Sequence, residues 1–215
     1  MKTTIVFMQS LGLPARVGDV YVLLPQKQME TGKGFLARCQ KWAEKQAAAL
    51  VTPCFVQEGR LVMAYTAPGQ TVIQSACFLP EEWEDKYQKG GDVQLFDTPH
   101  GKLALCCDID ILQPQYARTA ALRGCRLLFS SLWQNDESLL LAGPWASAQA
   151  NCLPIAVAGR QGGELLLPCE CTPDKSGRGR NDFYDEEIAA AYRAFPVLDS
   201  LNPAFYRRYE EALLQ

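Results

Sequence analysis

The chain carries one histidine in 215 residues, no long apolar run, no strong charge of either sign and no Cys-x-x-Cys pair. No stretch reaches the ~20 apolar residues of a spanning helix, so no membrane partner is expected. A net charge of −3 offers no global positive field, so no nucleic-acid partner is expected either. Met1–Gln9 holds one lysine and a short apolar run, too short for a signal-peptide core. Metal is the one other use to weigh for the cysteines. Cys169 and Cys171 are spaced by one residue, His100 is the only histidine, and no second pair has metal-ligand spacing. No metal and no cofactor is therefore expected.

What is present is ordinary for a globular protein. Hydrophobic residues make up 48% and charged residues 21%, which sets aside disorder, collagen-like repeats and coiled coil. A chain this long buries roughly 70% of its unfolded surface and needs no staples. The nine cysteines are odd in number, and several lie inside apolar runs such as LALCC and SACFL. That fits buried free thiols in a reducing, cytoplasmic setting better than a disulfide framework.

Strand and helix patterns alternate. Thr3–Met8 and Asp19–Leu24 read as short buried strands, and Lys33–Leu50 carries apolar residues at helical spacing. Val51–Val56, Arg60–Thr66 and Gln70–Cys77 form an expected antiparallel meander, turning at Glu58-Gly59 and Pro68-Gly69. Pro80–Gly91 is a charged loop with room for a helical turn. Val93–Phe96 and Lys102–Cys107 flank a turn at Pro99-His100-Gly101. Gln115–Arg123 is a helix ended by Gly124, followed by a strand at Arg126–Ser130. Glu137–Ala150 is helical with a break expected near Gly143-Pro144, and Leu153–Ala158 and Glu164–Leu167 are strands. Pro173–Arg180 reads as a solvated loop, and Asp185–Arg193 and Pro203–Leu214 as helices. No linker or repeat divides the chain, so one α+β domain over 1–215 is expected, mainly antiparallel with flanking helices.

The central third, GKLALCCDIDILQPQYARTAALRGCRLL from Gly101 to Leu128, resembles the carbon–nitrogen hydrolase, or nitrilase, superfamily. The family pattern there is Gly-Lys, an apolar strand, Cys-x-Asp, Pro-Glu-x-x-Arg, a helix, and Arg-Gly-Ala-Asp. Gly90–Thr98, Ser147–Gly159, Arg193–Tyr206 and Asp19–Gln26 resemble further family segments in the same order. The resemblance implies a four-layer α-β-β-α sandwich, here truncated in the N-terminal third. Between Gln9 and Asp19 only SLGLPARVG remains, too little for the family's first helix. It also implies a homodimer, through the helix Gln115–Arg123 and the tail from Leu198, with an isologous two-fold contact.

Family chemistry is acyl transfer from an amide or nitrile carbon by a Cys thiolate, a Glu base and a Lys that stabilises developing charge. The resemblance places other residues at all three positions. Six residues on from Lys102, and six back from Pro114, is Asp108 where the family has Cys. Pro25 is followed by Gln26 where the family has Glu, and Gln takes no proton at neutral pH. In QSACFL, Ala76 holds the Lys position, with Lys86 and Lys89 a short loop away. Ser147 and Ala150 replace a family Arg and Glu, and Gly159 replaces an Asn.

The expectation is a protein inactive as an amidase or nitrilase, a pseudoenzyme binding a small-molecule ligand or a partner. The alternative is a diverged hydrolase of non-peptide carbon–nitrogen bonds with a relocated nucleophile at Asp108, Cys107 or Cys106. Such an enzyme would need Glu30, Glu81 or Glu82 to swing in as base. Glu82, Asp110 and Trp133 are the pocket candidates. Asp110 is expected to cap structure while Asp108 points into a solvated relic pocket. Arg118 is expected to pair with a carboxylate, Cys106 and Cys107 to be inert core, and His100 to lie in a surface turn.

Overall fold

The computed structural model describes residues 1–14, 16–133, 137–168 and 182–194. In chain order the elements are β1 (Lys2–Met8), β2 (Val20–Leu23), α1 (Lys33–Gln46), β3 (Ala49–Val51), β4 (Phe55–Gln57), β5 (Arg60–Ala67) and β6 (Gln70–Ser75). There follow α2 (Glu81–Glu84), β7 (Leu95–Thr98), β8 (Gly101–Cys107), a 3-10 segment Asp108–Leu112, α3 (Pro114–Leu122) and β9 (Leu127–Ser131). The remainder is α4 (Glu137–Asn151), β10 (Ile155–Gly159), β11 (Gly162–Leu166), β12 (Asp182–Tyr184) and α5 (Asp185–Ala194).

Two sheets carry the fold. One has seven strands in the order β12-β1-β2-β3-β5-β4, with β6 also paired to β5; the other has five in the order β11-β10-β9-β8-β7. Alternation along β8 sets the layers. Leu103, Leu105 and Cys107 join Ile5, Val22, Val51, Met63 and Phe129 in a core between the sheets. Ala104 and Cys106 face the other way, onto Tyr116, Ala117 and Ala120 of α3 and Ala148 of α4. On the far side, Phe35, Leu36, Cys39, Trp42 and Ala43 of α1 cover Tyr21, Leu23, Val62 and Ala64. This is the α-β-β-α sandwich.

Several expectations change. The antiparallel meander β4-β5-β6 is present, but β1-β2-β3 and β8-β9-β10 are parallel, so each sheet is parallel at its centre. Periodicity identifies a buried strand, not its direction. The helix from Lys33 stops at Gln46 instead of Leu50, because Ala47 turns left-handed (φ 50°) and Ala49–Val51 enter the sheet. The strand expected over 51–56 splits around Pro53, which has no N–H to give a ladder. The break near Gly143-Pro144 does not occur; α4 runs through Pro144, and its last turns pack on the second sheet through Trp145 and Ala148. Strand β12 was not anticipated. Gly124 does take the expected left-handed conformation after α3 (φ 83°). No helix forms between β1 and β2 among the described residues. Pro173–Arg180, Pro203–Leu214, Cys169, Cys171 and the tail from Leu198 lie outside the described residues.

Candidate functional site

The site is built where the parallel strands of both sheets end. Just past β3, the Cys54 N–H donates to Ser131 Oγ (3.1 Å) and the Cys54 thiol to the Ser131 carbonyl (3.3 Å). Ser131 closes β9 and pairs in register with Cys107, the last residue of β8. The C-terminal ends of the two sheets therefore meet, with Gln26 following β2 and Asp108 following β8.

Asp108 turns the chain from β8 into the 3-10 segment. Its φ of 44° is left-handed, a conformation that Asp tolerates better than most side chains. The side chain is fully buried (0% exposed), and its Oδ1 accepts the Trp133 N–H at 2.8 Å. The solvated relic pocket expected around Asp108 is thus corrected. β8 ends at Cys107, and the tight turn that follows folds Asp108 inward onto the end of β9.

Asp110 is also fully buried, and its carboxylate accepts the N–H groups of Cys77 (3.1 Å) and Phe78 (2.7 Å). The capping role expected of it is present. This latch brings the Ala76 segment to the Asp108 turn. Ala76 is buried, its N–H donating to Leu61 O (2.8 Å) and its carbonyl accepting the Gly90 N–H. Gln26 stands exposed at the same end, with Nε2 donating to Gln9 O (2.7 Å) and Leu24 O (3.1 Å). It ties the end of β1 to the end of β2.

Burial pushes the Asp110 carboxyl up to about 7, and the charge of Asp108 adds to this; the N–H groups of Cys77, Phe78 and Cys107 act in the opposite direction. A carboxyl raised in the folded state holds its proton longer than in the unfolded chain. Stability therefore falls as pH rises from about 4 to about 7, by on the order of 4 kcal/mol for such a shift. Between pH 5 and pH 8, urea unfolding should show about 3 kcal/mol of this loss in the parent chain and a much smaller one in Asp110→Asn. Equal slopes in both would remove Asp110 as the cause.

Of the other candidates, Trp133 lies against the site through its N–H, and its ring carries the Arg160 guanidinium at 5.8 Å. Glu82 is exposed on α2, which is anchored instead by Trp83 and Tyr87 against the inter-sheet core. Glu30 is held by Arg38 (3.2 Å), Glu81 is exposed, and Lys89 pairs with Glu84 (2.6 Å). Cys107 faces the inter-sheet core, its thiol donating to Gln74 O (3.4 Å), and Cys106 faces α3. Burial raises both thiols well above their ordinary range, so neither is a thiolate at neutral pH.

Arg118 needs correction. Its Nη2 donates to the Ala150 carbonyl at the end of α4 (3.0 Å), not to a carboxylate. Residue 150 offers no acid, and the exposed carbonyls of a helix C-terminus attract a cation. His100 sits in the β7–β8 turn, with its N–H on Thr98 Oγ1. Among the described residues no group of three metal-ligating side chains forms. Sequence reasoning missed Cys54 and Ser131, which join the sheet ends. No spacing signals them, since they are far apart in the chain.

No family model matches the chain. A carbon–nitrogen hydrolase from Helicobacter pylori G27 superposes with a TM-score of 0.70 at 14% identity, over 89% of this chain and 86% of that one. The fold is that of the nitrilase superfamily. An amidase variant from Nesterenkonia sp. AN1, in which acrylamide has added to the active-site cysteine, superposes with a TM-score of 0.60 at 17% identity, over 70% of this chain and 72% of that one. In sequence, a Schizosaccharomyces pombe protein named "Probable nitrilase" is 35% identical over 87 residues, 38% of this chain. That match spans only 30% of the relative's length. The nitrilase fold is thus present with no helix between β1 and β2 among the described residues.

Proposed function

We propose that this nitrilase-fold chain does not hydrolyse amides or nitriles through a thiol, and that it binds a small ligand or a partner as a pseudoenzyme. The observation that carries this reading is the Asp108 turn. At the end of β8, where the family resemblance puts a cysteine, stands a buried aspartate held by the Trp133 N–H. The neighbouring thiols are buried and protonated, and Gln26 and Ala76 supply neither base nor cation. Removing one such group typically costs orders of magnitude in rate.

The proposal includes a cytoplasmic setting and a two-fold homodimer through α3, whose last residue, Leu122, is exposed. A sedimentation mass of a single chain would remove the dimer. Ammonia release is the test of the functional reading. With a panel of small amides and nitriles, release is expected to equal the buffer blank. The left-handed backbone at Asp108 favours a second reading, a diverged hydrolase with Asp108 as nucleophile. Turnover lost in Asp108→Asn would establish that reading. Turnover lost in Cys107→Ala would instead restore a thiol route.

A further inference from the structure

Seven cysteines are free among the described residues, and two of them meet across the sandwich. Cys54 follows β3 in one sheet, and Cys107 ends β8 in the other. Both side chains belong to the core between the sheets. The Cys54 thiol reaches the Ser131 carbonyl at 3.3 Å, and Ser131 is the register partner of Cys107. Beside burial, Cys54 is among the neighbours that raise the Cys107 thiol, which fits two side chains lying close together in that core. Cys106, though adjacent in sequence, points to the opposite face, toward α3. Cys39 lies under α1, on the outer face of the first sheet.

We infer that Cys54 and Cys107 are a redox-sensitive pair, which a hydroperoxide oxidises to a disulfide fastening the end of β3 to the end of β8 directly before Asp108. The step balances with hydrogen peroxide as oxidant. One thiol sulfur attacks the peroxide oxygen, the O–O bond breaks and water leaves, giving a sulfenic acid. The second sulfur displaces its hydroxyl as a second water, and the S–S bond forms. The two sulfurs together lose two electrons and two protons, and one peroxide becomes two waters. Both thiols are buried, so the reaction is slow and paced by local opening. That sets the pair apart from a catalytic thiol, and the inference stands whether or not the site binds a ligand.

A disulfide here closes the chain from Phe55 to Cys106 into a loop and ties the two sheets together covalently. For a chain of this size, such a link is expected to raise Tm by about 5–10 °C. The folded full-length chain is treated with hydrogen peroxide, free thiols are then alkylated under denaturing, non-reducing conditions, and digests are analysed by mass spectrometry. The expected result is a Cys54–Cys107 linked peptide, with the rise in Tm reversed by dithiothreitol. Cys54→Ser and Cys107→Ser should each lose both the linked peptide and the rise. Linkages only among other cysteines, or Cys54 and Cys107 both recovered alkylated or over-oxidised, would overturn the inference. The wild-type digest decides this even if a variant fails to fold.

Discussion

Lysine at position 76 is expected to cost the folded state about 4 kcal/mol or more, enough to abolish a cooperative transition in a marginal domain. Ala76 is fully buried beside Leu61 and Leu79 in the inter-sheet core, and both its backbone groups are bonded. Gly90 is so close to Ser75 that a Cβ there would lie 2.9 Å from it, so the loop over this segment has little room to yield. A longer side chain overpacks the core, and its ammonium loses water in exchange for whatever Asp108 and Asp110 return. Ala76→Met adds similar length without charge and separates the two costs. Urea unfolding of both variants is the measurement. Ala76→Lys as stable as the parent would mean that the site still has room for the family's lysine, and that the charge alone was lost.

Asp110→Ala is expected to cost about 3 kcal/mol at pH 6 and less at pH 8. It leaves the Cys77 and Phe78 N–H groups buried without their acceptor, at about 1–3 kcal/mol each. The loss shrinks with pH because the parent chain itself loses stability as pH rises toward about 7, where the folded-state Asp110 ionises. Asp110→Asn keeps one oxygen, enough for the 2.7 Å bond from Phe78, and should fall between the two. Unfolding midpoints in urea at both pH values measure this. A loss below 1 kcal/mol at pH 6 would show that the segment after Ala76 is held by other contacts.

The elements legible in the sequence are those whose apolar spacing is long enough to define a face. The five buried positions of α1 and the alternation in β8 are examples. β12 escaped because it has three residues and its partner, β1, lies at the other end of the chain. The parallel centre of each sheet escaped because pairing direction is a long-range property. At the site, the family anchors around Lys102 and Pro114 led to Asp108, and the Cys77 segment does lie beside it through Asp110. The burial of Asp108 was not legible, because an aspartate in sequence reads as exposed. Only the left-handed turn and the Trp133 N–H, 25 residues away, make an interior place for it. Arg118 was misread for a related reason, since a backbone carbonyl leaves no mark in the sequence.

The central claim is that the nitrilase fold here has no reactive thiol at the end of β8, and acrylamide tests it most directly. That reagent adds to the active-site cysteine of the Nesterenkonia amidase variant that shares the fold. The folded chain is incubated with acrylamide at pH 7.5, quenched and digested, and adducts are mapped by mass. The account predicts no rapid addition at Cys106 or Cys107 in the folded chain and full addition only after unfolding, because both are buried and their thiols lie well above the ordinary range. Rapid, stoichiometric addition at either cysteine in the folded chain would contradict it.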